Sequence, residues 1–275
     1  MTQLPKLSVV VPSYNQGQFL ERTLASIIGQ NYPNLELIVM DGGSTDDSMA
    51  IIDRYREHIA HLEHGPDGGQ SAAIAKGFGI ATGDYISWLN SDDIYSPQAL
   101  LKVGQYLASR PDVEFVYGNM TMIDADDNVI AFRRSPDFVL GVMKYAFLTV
   151  PQHSAFWTKS LYDRVGGVDA NLRFCMDYDL FVRMATAHAP KHIDVPIGNF
   201  RIHGESKTST LESVRQAEDD IVHNRYCGVK PANRLQFALT RYFYTAVLVG
   251  LTLKNGSFFD RVATRLRNGL KSVAS

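Results

Sequence analysis

The chain has 275 residues, 45% of them hydrophobic and 20% charged, with a formal net charge of −2. That profile suits a globular protein with one sizeable core, and the near-neutral balance excludes nucleic acid as a bulk electrostatic partner. The two cysteines, Cys175 and Cys227, form neither a metal-type spacing nor a disulfide framework, so a reducing, cytoplasmic setting is expected.

Met1 to Lys6 lacks the apolar core of a signal peptide. Leu7 to Val11 then reads as a buried strand stopped by Pro12, followed by the polar loop Ser13-Tyr14-Asn15-Gln16-Gly17. Phe19, Leu20, Leu24, Ile27 and Ile28 recur at helical spacing, which predicts a helix from about Gln18 to Gln30. A second strand runs from Leu35 to Met40 into Asp41-Gly42-Gly43-Ser44-Thr45-Asp46, and Met49, Ile51, Ile52 and Tyr55 mark the next helix. Strand, loop and helix in alternation argue for a parallel sheet covered by helices.

Ala60 to His64 is a short third strand, and Gly65 to Gln70 is a loop by its glycine and proline content. Ser71 to Ile80 is a small-residue helix carrying Lys76, either a solvated helix residue or one that reaches a phosphate. The aromatic and branched run Tyr85 to Leu89 is a buried strand that ends abruptly in Asn90-Ser91-Asp92-Asp93. Two adjacent carboxylates at the end of a buried strand repel each other and resist desolvation, and a hard divalent cation with oxygen ligands offsets both costs. Ligands bind outside the carboxyl ends of the strands in such sheets, so Asn90 to Asp93 is the first candidate site.

A helix with Pro97 in its first turn is expected to about Ser109, then a strand from Val113 to Gly118 and a hairpin around Asp124 to Asn128 returning to Phe132. Asp137 to Tyr145 is a short helix, Gln152 to Trp157 alternates like a strand, and Lys159 to Val165 is helical up to Gly166-Gly167. Cys175 to Ala187 is a helix opening on Asp177 and Asp179. Ile193 to Ile197 is strand-like, Arg201 to Ser206 a polar loop, and Leu211 to Tyr226 a charged amphipathic helix. One or two helices follow from Arg234. Their longest apolar stretch, Tyr242 to Leu253, has 12 residues, short of the roughly 20 that span a bilayer. Beyond it, Phe258, Val262, Leu266 and Leu270 share a face among basic residues, a pattern suited to peripheral contact with a membrane or to packing on the domain or a second subunit.

Absent motifs narrow the chemistry. The sequence contains no GxxxxGK[ST], no GxGxxG after the first strand and no GxSxG, which argues against a P-loop enzyme, a dinucleotide-binding enzyme and an elbow-type hydrolase. The loop Pro12 to Gly17 has no Lys or Arg, which weighs against a nucleotidyltransferase. A catalytically inactive nucleotide-sugar-binding module is the non-enzyme alternative, with Asn90 as its one hint.

The ordered set Val11-Pro12-Ser13-Tyr14-Asn15, Asp41 to Asp46, Gly83-Asp84 leading to Asn90-Ser91-Asp92-Asp93, and Asp177-Tyr178-Asp179-Leu180 resembles the family 2 glycosyltransferases. The likeness spans about residues 5 to 208. It implies an α/β, Rossmann-like GT-A fold with a mostly parallel sheet, a catalytic domain over residues 1–208 and a helical C-terminal extension over 209–275. It also implies an inverting, metal-dependent transferase acting on a nucleotide-diphosphate sugar, a UDP-sugar foremost, and a sugar or lipid-linked sugar acceptor in polysaccharide or glycan assembly. Pro12, Tyr14, Asn15 and Asp41, with Gln70, Lys76, Asn90 and Ser91, are then expected on the nucleotide-sugar. Asp92 and His203 would hold Mg2+ or Mn2+, Asp177 would be the general base, and Gln152, His153 and Arg201 would lie on the acceptor side. Two positions depart from the family's pattern: Asn90 stands at the first acid of the DxD element, and Met176 precedes Asp177 where Glu is frequent.

Overall fold

In the computed structural model, residues 3–204, 206, 211–228 and 234–256 are described. The strands are β1 (Leu7–Ser13), β2 (Leu35–Asp41), β3 (His61–His64), β4 (Tyr85–Trp88), β5 (Ile94–Tyr95), β6 (Phe115–Ile123), β7 (Val129–Arg133), β8 (Ala155–Thr158) and β9 (Lys191–Arg201). The helices are α1 (Gly17–Ile28), α2 (Ser48–Arg54), α3 (Gln70–Ile80), α4 (Ala99–Ser109), α5 (Leu140–Tyr145), α6 (Lys159–Arg164), α7 (Met176–Ala187), α8 (Glu212–Cys227) and α9 (Arg234–Lys254).

The strands form one sheet in the order β3-β2-β1-β4-β8-β6-β9-β5, with β7 paired to β6. Its first half is parallel: β1 pairs with β2 and β4, and β2 with β3. Its second half is mixed, because β8 runs antiparallel between β4 and β6, β5 and β7 are antiparallel edges, and only β6–β9 is parallel. The expected parallel sheet therefore describes the half formed by β1 to β4, and strand direction reverses at β8, beside β4.

Every residue of β1 is buried, as a strand covered on both faces requires. On one face Leu20, Leu24 and Ile27 of α1 pack with Val9, Leu37 and Leu100. On the other, Phe78 of α3 and Phe181 of α7 pack with Trp88 and Trp157. The tryptophan rings of that cluster stand 5.6 Å apart, edge to face, a favoured aromatic geometry. At Gly77 a Cβ would lie 2.6 Å from Val10, so glycine lets α3 lie directly on β1.

Four local expectations are corrected. Gln152 to Ser154 is a short 3-10 turn, and the strand begins only at Ala155. Strand β9 runs on through Arg201, which the sequence placed in a loop, because β6 continues to Ile123 and supplies pairing along that length. The two-residue β5 carried too short a signal to be read. Helix α4 starts at Ala99, after Gln98 in the left-handed region, so Pro97 precedes the helix. No helix among the described residues is long and apolar enough to cross a membrane.

Candidate active site

Parallel pairing brings the carboxyl ends of β1, β2 and β4 into line, with Ser13 beside Asp41 and Val10 beside Trp88. The loops that follow open on a cleft of about 1670 Å³. The end nearest the strand ends, the candidate donor end, is lined by Pro12, Tyr14, Gln70, Asn90, Ser91 and Asp92. Asp177, Gln152 and His153 line the same cleft, which joins residues more than a hundred positions apart in the chain.

Asp41 does not reach this lining. Its carboxylate is buried and accepts from the Ser44 hydroxyl at 2.6 Å and from the amides of Ser44 and Gly43 at 2.8 and 3.1 Å, and His64 Nδ1 lies 2.7 Å away. These are the local bonds by which an Asp folds its own turn. Asn15, in the left-handed region, likewise accepts from the Thr45 amide at 2.8 Å while its own amide donates to Ser44 Oγ. Asn15 fastens the first loop to the second, and Asp41 holds the second loop in shape. Lys76 is a plain correction: its ammonium is exposed on α3, pairs with Glu63 and lies outside the lining.

Asp67, in the same loop as Gln70, also lines the candidate donor end. A Cβ at Gly42 would stand 3.0 Å from Asp67 Oδ2 and 3.3 Å from the Tyr14 ring. Three loops thus converge at one point of the donor end, and Gly42 makes room for the carboxylate. The signal was the pair of glycines after β2, which told of close approach without telling what approached.

The Asn90–Asp93 turn is held from several sides. Gln70 Nε2 donates to Asn90 Oδ1 at 2.8 Å, Gln152 Nε2 donates to the Trp88 carbonyl at 2.7 Å, and Asn90 Nδ2 reaches Asp93 and Gln152 at 3.4 and 3.5 Å. An amide here can donate and accept at once, which a third carboxylate could not. It also spares a charge beside Asp93. That residue is fully buried, and burial, reinforced by the Asp92 charge, holds its carboxyl well above the usual carboxylate range. Thr23 Oγ1 lies 2.9 and 2.8 Å from the carbonyls of Ser91 and Asp93.

Arg201 supports the turn from below. Expected on the acceptor side, it is instead fully buried and absent from the lining. Its amide donates to Asp93 Oδ1 at 2.8 Å, its Nε to the Asp92 carbonyl at 2.6 Å, and its Nη1 to the carbonyls of Asp124 and Ala125, with Asp127 as counter-ion. The guanidinium lies 4.9 Å from the Phe19 ring centroid, within cation–π range. It positions the acidic turn and joins it to the β6–β7 hairpin.

His203 packs on Phe19 at 4.5 Å and sets Nε2 3.0 Å from Asp92 Oδ2. The 3.0 Å contact is a hydrogen bond, and a divalent cation shared by the two side chains would replace its proton. No group of three His, Cys, Asp or Glu side chains among the described residues could hold a metal alone. The donor set suits an ion bound jointly with a diphosphate, as Mg2+ commonly is.

Asp177 sits in the first turn of α7 and is half-buried, its Oδ1 accepting from the Tyr178 amide at 2.7 Å. Met176 beside it is buried in the core. A carboxylate does reach this helix start, but from α8. Glu218, itself buried, accepts from the amides of Arg173, Phe174 and Cys175 at 2.7, 2.8 and 2.8 Å. Asp179 is turned away from the cleft and binds Arg183, Arg225 and Tyr226 at 2.6, 3.0 and 2.7 Å. Of the two acids that open α7, only Asp177 lines the cleft.

His153 lines the cleft but is almost wholly buried, stacked on Phe200 at 5.6 Å, and its Nε2 has no hydrogen-bond partner. Burial alone lowers its pKa to about 4. It is a neutral imidazole at the junction of the two ends of the cleft.

The architecture and sequence both have relatives. TarS 1-349 of S. aureus, solved in complex with UDP-GlcNAc, superposes with a TM-score of 0.62 at 16% identity, over 86% of this chain and 79% of that one. The mannosyltransferase PcManGT of Pyrobaculum calidifontis, in complex with GDP-Man and Mn2+, gives 0.61 at 19% identity, over 99% and 81%. An uncharacterized glycosyltransferase of Mycobacterium tuberculosis is 29% identical over 274 residues, covering 97% of this chain and 99% of its own. Hyaluronan synthase of Pasteurella multocida is 23% identical over 229 residues, covering 82% of this chain and 23% of that protein. Residues 8–167, more than half the chain, match the family described as Glycosyl transferase family 2. With a GT-A sheet and a cleft at its strand ends, the chain belongs to the family 2 glycosyltransferases.

Proposed function

We propose that this protein transfers a sugar from a nucleotide-diphosphate sugar, a UDP-sugar foremost, to a hydroxyl acceptor with inversion at the anomeric carbon, in the assembly of a polysaccharide or other glycan. One observation carries the reading: Asp92, with His203 behind it, and Asp177 open on one cleft from opposite halves of the chain. The nucleotide would lie against Pro12, Tyr14 and the Asp67–Gln70 loop, where glycine backbone permits close approach. Asp92 and His203 would hold Mg2+ or Mn2+ at the diphosphate, and such an ion supplies charge neutralisation at the leaving group. Asp177 would accept the acceptor hydroxyl's proton as that oxygen attacks. One carboxylate base with direct attack gives inversion, and Gln152 and His153 border the acceptor. The nucleotide-sugars bound by the TarS and PcManGT structures support the donor class and the Mn2+ of the latter supports the ion.

The test is kinetic and separates the two acids. General-base catalysis contributes roughly 10²–10⁴-fold, so Asp177→Asn should lower kcat by that order while leaving donor binding nearly intact in a thermal-shift titration. Turnover retained in Asp177→Asn removes that residue from the role. Asp92→Ala should abolish the stimulation of donor binding by Mn2+, and an unaltered Mn2+ response removes the metal assignment. Nucleotide-sugar binding without release of nucleotide diphosphate, over a panel of sugar acceptors, would return the chain to an inactive binding module.

A further inference from the structure

Helix α9 has two dissimilar sides. Its inner side packs on the domain: Tyr244 stacks on Tyr145 at 5.5 Å, Phe237 lies 5.9 Å from the same ring, and a Cβ at Gly141 of α5 would run into the Tyr244 ring. Arg241 and Leu248 of this helix form part of the cleft wall. Its outer side carries Leu235, Leu239, Tyr242, Phe243, Val249 and Leu253, all exposed, with Leu235 at 75% and Tyr242 at 79%. Their spacings of 4, 3, 1, 6 and 4 residues keep one helical face. The stripe is about 27 Å long at 1.5 Å per residue. A continuous exposed face of this size marks an interaction surface.

Charge identifies the occupant. Residues 234–275 contain seven Lys or Arg and one Asp, a net +6, whereas the whole chain is −2, which leaves −8 on the first 233 residues. Within α9 itself, Arg234, Arg241 and Lys254 are the charged residues. A two-fold dimer through this face would set two such positive segments against each other. An anionic lipid surface complements them, and an aromatic and aliphatic face with basic flanks is the composition that lies in a headgroup layer.

We propose that α9 docks this protein on an anionic membrane surface and so sets the cleft beside lipid, where the acceptor is a hydroxyl on a lipid-linked sugar. The acceptor half of this proposal rests on the glycosyl-transfer reading; the docking half does not. It differs from docking through the basic tail alone, because the apolar face precedes that tail.

The full chain should float with vesicles of phosphatidylcholine and phosphatidylglycerol, less with phosphatidylcholine alone, and less again in high salt. The double variant Leu239→Asp, Phe243→Asp should lose at least about tenfold in partitioning, while its melting curve and its thermal shift with nucleotide-sugar match the parent. Neither side chain touches the cleft, so a lost donor response in the parent would indict the glycosyl-transfer reading and leave the docking result standing. The docking proposal is overturned by failure to float, by equal flotation of the variant, or by sedimentation showing that the face joins two copies while vesicles bind neither protein. If the protein floats but a lipid-linked sugar is no better an acceptor in vesicles than a soluble one, the acceptor half falls.

Discussion

The two ends of the cleft are built by different means. The donor end is made of turns that hold themselves: Asp41 binds its own loop, Asn15 bridges to Thr45, and Gln70 and Gln152 brace Asn90. Each turn follows a strand of the parallel half, so sheet register delivers it to the same edge. The far end is assembled from separate helices, with α8 and α9 leaning on α5 and α7 through side chains such as Glu218, Arg225 and Tyr244. A self-bracing turn keeps its shape when the other end changes. Arg201 links the two systems most extensively, with Gln152 as a second link: both come from the second half of the chain yet hold the acidic turn of the first.

Removing the Arg201 link should have the largest effect on stability. Arg201→Met takes the guanidinium from the Asp92 and Asp124 carbonyls, while the Ala125 carbonyl and the Asp127 carboxylate keep Arg22. Each buried carbonyl left without its donor costs about 1–3 kcal/mol, and two are lost here. Urea denaturation should show a loss of that order, and donor affinity should fall with it as the Asp92–Asp93 turn loosens. Arg201→Lys should recover only part, since an ammonium cannot reproduce the planar fork. A loss below about 1 kcal/mol would mean that the donor end braces itself entirely and that the contrast between the ends is sharper than drawn.

The same contrast governs what could be read from the sequence. Strands β1, β2 and β4 and their loops were legible because a buried parallel strand leaves an uninterrupted apolar run and its turn has distinctive residues. The α/β alternation was legible in that half, and the GT-A fold was implied by a resemblance whose motifs reach to Asp177–Leu180. Arg201 was misplaced because the strand holding it is interrupted by Pro196, Gly198 and Asn199, so alternation failed where pairing to β6 in fact persists. Lys76 was assigned to a phosphate from its place on α3, but the facing direction of one helix residue depends on packing, and Glu63 of the neighbouring strand captures it. Glu218 gave no signal at all: one acid in a charged helix looks solvated until the fold lays it over the start of α7.

His153 tests the junction between the ends. Its imidazole titrates at about 4 in the folded chain and at about 6.5 in the unfolded chain. The unfolded state therefore takes up a proton that the native state refuses. The contribution is complete above the unfolded value and is lost as pH falls from about 6.5 toward 4. Between pH 7.5 and 4.5 the parent should lose about 2–3 kcal/mol through this group. His153→Gln should flatten that part of the stability–pH curve, whatever its absolute stability at neutral pH. Parallel curves for the two proteins would show that the ring is hydrated in solution and belongs to the open acceptor side.

The smallest expected effect probes the helix-built end alone. Glu218→Gln keeps the shape of the side chain but replaces charge-assisted acceptance from three amides by a neutral carbonyl at the start of α7. Stability should fall by about 1–2 kcal/mol, the range for weakened bonds to a buried charged acceptor. A purely structural role would stop there, with kcat unchanged once the protein is folded. If Glu218 positions the base, kcat falls several-fold while donor KM stays put, because Asp177 lies one turn away and the donor loops brace themselves. A fall in donor affinity instead would mean that strain passes from α7 to the nucleotide loops, and the two ends would then have to be treated as one mechanical unit.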